Sequence, residues 1–209
     1  MPSCAAIAFL KAFCSTLLRA SSRHHGVPYS PRASRPERFE ASRAARLADQ
    51  GVEVVPRPGH LGLIQDKGLQ KQAFDDWNIA SAPYQLIEGL QEVGAMGYPI
   101  VQKLRKGGYD GKGVQILNTP EDAQARGFDA PCVLEQAVDI DKELSVIVAR
   151  NAKGETAVYP VVEAVFNPEV NLVDHLMAPA AITGQQESDA RDLALKVVTS
   201  MDFVGLLAV

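Results

Sequence analysis

Glycines and basic residues are concentrated in one short stretch, Lys103-Leu104-Arg105-Lys106-Gly107-Gly108-Tyr109-Asp110-Gly111-Lys112-Gly113. Glycine lets backbone N–H groups turn toward an anion, and the four basic side chains add positive charge. The stretch therefore predicts a cradle for phosphate groups. The alternative is a flexible hairpin loop whose lysines are only solvated.

The sequence on either side of this loop indicates its geometry. Phosphate loops of the Walker A and Rossmann types lead directly into a helix. Here residues 99–104 and 114–117 are both rich in apolar and β-branched side chains, which is typical of strands. We therefore expect a hairpin flap over the phosphates.

A second candidate stretch follows at residues 132–138, where an apolar strand ends in a linker. Backbone N–H and C=O groups of such a linker can bind the edge of an adenine, and the carboxylate of Glu143, at the start of the next strand, can accept hydrogen bonds from ribose hydroxyls. The alternative is that Glu135 and Glu143 are solvated surface residues.

Three motifs in this order resemble the 5-(carboxyamino)imidazole ribonucleotide synthases, an ATP-grasp family of purine biosynthesis. They are Gln65-Asp66-Lys67-Gly68-Leu69-Gln70-Lys71-Gln72, the Gly-Gly-Tyr-Asp-Gly-Lys-Gly loop, and the Glu-Gln pair followed by Glu-Leu-Ser at 143–145. The resemblance covers roughly residues 51–209. It implies an α+β, ATP-grasp fold, in which two α+β subdomains with antiparallel sheets grip ATP.

The resemblance also implies a set of nucleotide-binding positions: Lys67, Lys103, Gly108, Tyr109, Asp110, Gly111, Lys112, Gly113, Glu135, Gln136, Ala137, Val138, Glu143 and Phe166. Among them, Lys103 is expected to reach the phosphates, and Tyr109 and Asp110 are expected near the ribonucleotide substrate as catalytic-loop residues. Phe166 stands where some members have a histidine, so an apolar contact replaces a hydrogen bond there.

The implied reaction uses ATP, bicarbonate and 5-aminoimidazole ribonucleotide, with Mg²⁺ at the transferring phosphoryl group. The family's metal-binding carboxylates are expected beyond Val209, so the fold is expected to be incomplete at the C-terminus. We therefore assign no metal ligand in this chain and expect negligible synthase activity from residues 1–209 alone. The resemblance also implies that the whole enzyme is a homodimer.

Two other functions remain open at this stage. One is a non-catalytic nucleotide-binding module that keeps the flap and the adenine linker. The other is a different ATP-grasp ligase, such as a biotin-dependent carboxylase component.

The elements that must position these residues follow from local patterns. Strands are predicted at 52–55, 83–87, 99–104, 114–117, 132–136, 144–149, 157–162, 171–178 and 204–209, and helices at 40–49, 65–77, 90–96, 120–126 and 186–201. Residues 56–59 are predicted to form a turn. Asp66 and Thr119 are suited to cap helices, and Leu69, Ala73, Phe74 and Trp77 form one apolar stripe.

Charge divides the chain into two parts. Residues 1–48 carry eight Lys and Arg against two Glu, a net charge of +6, whereas residues 49–209 carry a net charge of −10. We interpret residues 1–48 as a basic Arg/Ser-rich leader that is disordered or non-native, with an organelle transit peptide as the alternative. Residues 49–62 are interpreted as the remnant of an N-terminal α/β domain with its linker, and residues 63–209 as a truncated ATP-grasp domain.

The remaining composition excludes several classes of protein. The acidic body argues against nucleic-acid binding, and the longest apolar run is too short for a membrane span. The three cysteines have neither disulfide-framework nor zinc-site spacing. We expect a cytoplasmic protein, with an organelle as the alternative if residues 1–48 act as a transit peptide.

Overall fold

The structure is a computed structural model of the 209-residue chain, and it describes residues 41–108, 113–167 and 172–209. The helices are α1 (Ala41–Asp49), α2 (Pro58–Gln65), α3 (Lys67–Asp76), α4 (Pro120–Arg126) and α5 (Gly184–Ser200), with one 3₁₀ turn at Leu90–Glu92. The strands are β1 (Tyr84–Ile87), β2 (Ile100–Leu104), β3 (Val114–Leu117), β4 (Cys132–Gln136), β5 (Glu143–Ser145), β6 (Ile147–Arg150), β7 (Thr156–Val158), β8 (Val162–Asn167), β9 (Leu172–Met177) and β10 (Gly205–Ala208).

The first sheet is antiparallel and has the strand order β1-β4-β2-β3. Strands β2 and β3 are joined by the glycine-rich loop, so the predicted hairpin is confirmed. Successive side chains of a strand point to opposite faces. Lys103 and Glu135 therefore lie on one face, while Gln102 and Leu134 lie on the other, where α4 and the 3₁₀ turn cover an apolar cluster.

The second half contains two three-stranded sheets, β10-β6-β7 and β5-β8-β9, whose neighbouring strands are antiparallel. Between β5 and β6, Val146 exchanges two backbone hydrogen bonds with Val209, at 2.8 and 3.0 Å. The single strand predicted at 144–149 is therefore two, because the chain changes partners at Val146. Helix α5 buries Val197 and Val198 in the core of this half.

Side-chain caps determine where three helices begin. Asp66 accepts hydrogen bonds from the Gly68 and Leu69 amides at the start of α3, and Thr119 accepts from the Asp122 amide at the start of α4. Both predicted caps are confirmed. Helix α5 begins with a capping box formed by Thr183 and Gln186, which sequence analysis did not identify.

Helices α1 and α2 pack together near the start of the described chain. Ala44, Val54 and Leu61 form a small apolar cluster between them. The expected domain boundary at residue 48 falls inside α1, so the last residues assigned to the basic leader form a helix that packs against α2.

Several predicted elements differ from the structure. Residues 52–55 form no strand. The turn predicted at 56–59 includes the first residues of α2, because Pro58 occupies the first helical position, where its missing N–H costs nothing. The helix predicted at 90–96 is only the 3₁₀ turn Leu90–Glu92. The strand predicted at 157–162 is the end of β7 and the start of β8.

The face of α3 that is buried also differs from the prediction. Leu69 is 42% exposed, whereas the polar residues Gln70 and Lys71 are buried beside Phe74. Burial of polar groups requires hydrogen-bonding partners. Gln70 donates to the Ile64 carbonyl, and Lys71 has the partners described below.

None of the helices in the described part of the chain has both the length and the apolar character that crossing a lipid bilayer requires.

Candidate functional site

A buried ion pair lies at the centre of the first sheet. Lys103 Nζ on β2 is 2.6 Å from Glu135 Oε2 on β4, and the two residues are only 8% and 4% exposed. The antiparallel register places them on the same face, because Val101 pairs with Glu135 and Lys103 pairs with Val133. Both were predicted as site residues, and neither is the solvated surface residue of the alternative interpretation.

A second lysine shares the same carboxylate. Lys71 Nζ on α3 is 3.1 Å from Glu135 Oε1 and donates to the Ala82 carbonyl at 3.3 Å. It also lies 5.4 Å from the centroid of the Tyr84 ring, within the range of a cation–π contact. Lys71 was not among the predicted site residues.

One sequence signal could have identified Lys71. Lys67, Lys71 and Phe74 are spaced i, i+4 and i+7, which places them along one side of a helix. Because Phe74 was predicted in the core, the same spacing directs Lys71 toward the interior.

Burial and neighbouring charges change the acid–base properties of this site. Burial lowers the pKa of Lys103; the Glu135 carboxylate opposes this shift, and the charges of Lys71 and Lys67 add to it. Burial also raises the pKa of Tyr84 to about 12, helped by its hydrogen bond to Asp75 Oδ2 at 2.6 Å.

The root of the glycine-rich loop is attached to the start of α3. Arg105 donates to both oxygens of Asp66, and the Lys67 amide donates to the Arg105 carbonyl at 3.0 Å. The pKa of Asp66 is lowered: burial alone would raise it, but hydrogen bonds from Arg105 and from the amides of the first turn of α3 outweigh burial.

The two ends of the loop come close together. Gly113 has φ +82°, and a Cβ at this position would lie 2.9 Å from the Cα of Gly108. The Leu104 amide donates to the Gly113 carbonyl at 2.9 Å. The predicted residues at the tip of the loop lie outside the described part of the chain: Tyr109, Asp110, Gly111 and Lys112.

Two backbone amides of the predicted adenine linker, residues 135–138 at the end of β4, donate hydrogen bonds to other parts of the backbone. Gln136 donates to the Pro83 carbonyl at 3.0 Å, and Ala137 donates to the Pro99 carbonyl at 3.3 Å. These two backbone hydrogen bonds hold the linker in place, so neither N–H group is available to the predicted adenine edge. Val138 is partly exposed.

Glu143 and Phe166 belong to the sheet β5-β8-β9. Glu143 pairs with Ala164, and Phe166 is two residues further along β8, so all three side chains point to the same face. The register shift in this sheet lies opposite them in β9, where Asp174 is the extra residue. The structure thus brings Lys103 and Glu135 together on the first sheet, with Lys67 at the start of α3 close enough for its charge to act on Lys103. Glu143 and Phe166 lie together on another sheet.

Within residues 41–108, 113–167 and 172–209, no group of three or more His, Cys, Asp or Glu side chains is arranged to hold a metal ion. The charges of Lys71 and Lys67 act on Lys103 beside its pair with Glu135, and this cationic arrangement suits an anion.

Comparison with known proteins agrees with this geometry. The model of the ATP-grasp domain matches residues 72–209. Over 180 residues, the chain is 33% identical to the N5-carboxyaminoimidazole ribonucleotide synthase of Brucella melitensis, an alignment that covers 82% of this chain and 49% of the relative. The chain thus spans about half the length of the curated relatives it matches.

Solved structures give the same result. The N5-carboxyaminoimidazole ribonucleotide synthetase of Thermotoga maritima superposes with a TM-score of 0.69 at 36% identity, covering 80% of this chain and 43% of that one. An ADP complex of an N5-carboxyaminoimidazole ribonucleotide synthetase superposes with a TM-score of 0.72 at 30% identity, covering 83% and 47%.

Proposed function

Because this chain belongs to the ATP-grasp family, we propose that it is the nucleotide-binding part of an N5-carboxyaminoimidazole ribonucleotide synthase. The observation that carries this proposal is the buried Lys103–Glu135 pair beside the root of the glycine-rich loop. The whole enzyme carboxylates 5-aminoimidazole ribonucleotide with bicarbonate and ATP in purine biosynthesis.

The reaction has two steps. An oxygen of bicarbonate attacks the γ-phosphorus of ATP, which forms carboxyphosphate and releases ADP. The 5-amino nitrogen of the ribonucleotide then attacks the carboxyl carbon; phosphate leaves and the nitrogen loses a proton, which gives the carbamate.

Cationic residues of the first sheet and of α3 stabilise the negative charge of the nucleotide. Phosphoryl transfer is catalysed mainly by positioning and by cations that face the developing negative charge. Lys103 and Lys67 supply such cations, and the loop between Gly108 and Gly113 covers the phosphates. Tyr109 and Asp110, at the tip of that loop, contact the ribonucleotide.

The second sheet contributes the contacts to the nucleoside. The Glu143 carboxylate accepts hydrogen bonds from the ribose hydroxyls, and Phe166, on the same face, provides an apolar contact. Residues 135–138 bind the adenine edge.

Mg²⁺ is the metal of this reaction, and it would neutralise charge on the transferring phosphoryl group. The whole enzyme is proposed to be a cytoplasmic homodimer that binds no nucleic acid.

Binding experiments test the nucleotide site directly. Calorimetric titration of the purified chain should show ADP binding, and Lys103→Met should weaken it by about tenfold or more, since a charge-assisted contact is lost. Lys153→Met, in the exposed turn between β6 and β7, is the matched control. Absence of ADP binding by the unsubstituted chain would overturn the proposal.

The synthase assignment needs a turnover assay. We would join the chain to the segments of the Brucella melitensis synthase that its alignment leaves uncovered, and follow the ATP- and bicarbonate-dependent consumption of 5-aminoimidazole ribonucleotide. Turnover that is lost in Lys103→Met supports the synthase. A fusion that binds ADP without turnover would instead indicate a nucleotide-binding module.

A further inference from the structure

Glu163 is a charged residue on the core side of the sheet β5-β8-β9. It is the cross-strand partner of Leu144, so the two side chains share a face, and Leu144 packs against the apolar core of this half. Only 8% of Glu163 is exposed. The neighbouring pair, Glu143 and Ala164, points to the opposite face, where the nucleoside is proposed to bind.

The two oxygens of the Glu163 carboxylate differ in their partners. Lys142 Nζ lies 2.7 Å from Glu163 Oε1, whereas Glu163 Oε2 is buried and has no hydrogen-bond partner among the described residues. Desolvation offsets much of the attraction in such a pair, and a buried oxygen without a donor adds a further cost. A gain in stability therefore does not account for this buried charge, and its effect on the neighbouring chain does.

The ion pair connects an irregular part of the chain to a strand. Lys142 directly precedes Glu143, the first residue of β5, and residues 137–142 form no helix or strand. Strand β5 itself has only three residues, because the chain changes its partner at Val146. The contact of Lys142 with Glu163 therefore fixes the start of β5 against β8 at a place where few backbone hydrogen bonds do so.

Alternation along the strand couples this contact to the opposite face of the sheet. Leu144 points toward the core, and Glu143, one residue before it, points to the proposed nucleoside site. Displacement of the start of β5 would move the Glu143 carboxylate, and hydrogen bonds weaken steeply with distance and misalignment. The phosphate side of the site would keep its geometry, because Lys103 belongs to the first sheet.

We propose that Lys142 and Glu163 are positioning residues, whose ion pair holds Glu143 where its carboxylate accepts hydrogen bonds from the ribose hydroxyls of the nucleotide. This inference rests on the proposed function. It predicts that loss of the pair weakens recognition of the ribose hydroxyls specifically. Loss of a positive charge alone would instead weaken the binding of nucleotides with and without these hydroxyls alike.

The experiment compares ADP with 2′,3′-dideoxy-ADP, which lacks both ribose hydroxyls, by calorimetric titration of the full chain. The unsubstituted chain should bind ADP about tenfold more tightly, since hydrogen bonds to a charged group are strong. In Lys142→Met this affinity ratio should fall to about threefold or less. Lys142→Arg keeps the charge and should keep the ratio. Lys153→Met, which removes an exposed lysine charge in the turn between β6 and β7, is the matched control.

A double variant addresses a Lys142→Met chain that fails to fold. In Lys142→Met/Glu163→Gln no carboxylate is left buried without its partner, so the main cause of unfolding is removed. The ion pair is absent in this variant as well, and its affinity ratio should also fall to about threefold or less. Thermal denaturation shows which of the variants are folded.

The affinity ratio decides between the outcomes. A ratio that keeps its unsubstituted value in Lys142→Met, or in the double variant where the single variant does not fold, would overturn the inference and leave the proposed function intact. A fall of the same size in Lys142→Arg would also overturn it. Equal binding of ADP and dideoxy-ADP by the unsubstituted chain would instead remove the ribose contact proposed for Glu143, and the inference with it.

Discussion

The guanidinium group of Arg105 donates two hydrogen bonds to the carboxylate of Asp66, from Nε at 3.0 Å and from Nη2 at 2.9 Å. The same carboxylate caps α3 through the amides of Gly68 and Leu69. This single contact therefore joins the start of α3, which carries Lys67 and Lys71, to the end of β2, which carries Lys103.

Asp66→Asn should reduce the free energy of unfolding by on the order of 2 kcal/mol, because Asn can still cap α3 but no longer pairs with the Arg105 charge. Urea denaturation at neutral pH measures this change. Asp139→Asn, at an exposed position, should change it by less than about 0.5 kcal/mol. Equal stability of the two variants would contradict the importance of the pair.

The contribution of the Asp66 carboxylate to the free energy of unfolding should change with pH only in the acid range. The pKa of this carboxyl is below its ordinary value of 3.8 in the folded protein, so its stabilisation is complete above that value and is lost as the pH falls through the lowered pKa. The difference in unfolding free energy between the unsubstituted chain and Asp66→Asn should therefore shrink from pH 7 to pH 3. A constant difference would show that the pKa is not lowered.

Gly68 allows Arg105 to approach α3. A Cβ at this position would lie 2.6 Å from Arg105 Nε and 3.1 Å from Asp66 Oδ1. We expect Gly68→Ala to destabilise the chain and weaken ADP binding, despite a gain of about 1 kcal/mol in helix propensity. Gly59→Ala, also at the second position of a helix but with open space around it, should be neutral or stabilising in thermal denaturation.

Alkaline pH should weaken ADP binding through Lys103. Burial lowers the pKa of Lys103 below its ordinary 10.5, so its charge is lost as the pH rises through the lowered value. The dissociation constant of ADP should then increase by up to about tenfold for each pH unit above that pKa. Lys103→Arg keeps its charge in this range, so its dissociation constant for ADP should change less between pH 7 and 10 than that of the unsubstituted chain. Equal pH dependence of the two chains would contradict the role of the Lys103 charge in ADP binding.

Substitution of Gln102 tests whether successive side chains of β2 point to opposite faces of the sheet. Its fully buried amide accepts from the Phe128 N–H and donates to the Phe128 carbonyl, both at 2.8 Å. Gln102→Leu leaves both backbone groups without these bonds and should cost about 2–4 kcal/mol of unfolding free energy. At temperatures where the variant is folded, ADP affinity should not change, since Gln102 points away from Lys103.

Gln115→Leu provides the control for that experiment. Gln115 is the cross-strand partner of Gln102 on β3 and is only partly buried, so its replacement should change the unfolding free energy by less than about 1 kcal/mol. A loss of ADP affinity in Gln102→Leu but not in Gln115→Leu would show that the two faces of the sheet are not independent.

Local patterns in the sequence were sufficient for several parts of the site. The apolar run of β4, the hairpin on either side of the glycine-rich loop and the caps at Asp66 and Thr119 all depend on residues near in sequence, and all were predicted. The adenine linker was predicted by its position, but its Gln136 and Ala137 amides have backbone partners that no local pattern reveals.

The sequence by itself determined the α+β architecture with its antiparallel strands, the β2–β3 hairpin and the charged residues beside its loop, because turn chemistry, helix caps and side-chain periodicity act over a few residues. Only the tertiary structure decided which face of α3 is buried. Apolar periodicity favours Leu69, but the Glu135 carboxylate, from a distant strand, makes burial of Lys71 favourable instead. A buried charge is stable only beside its partner, and such partners are brought together by the folding of the whole chain.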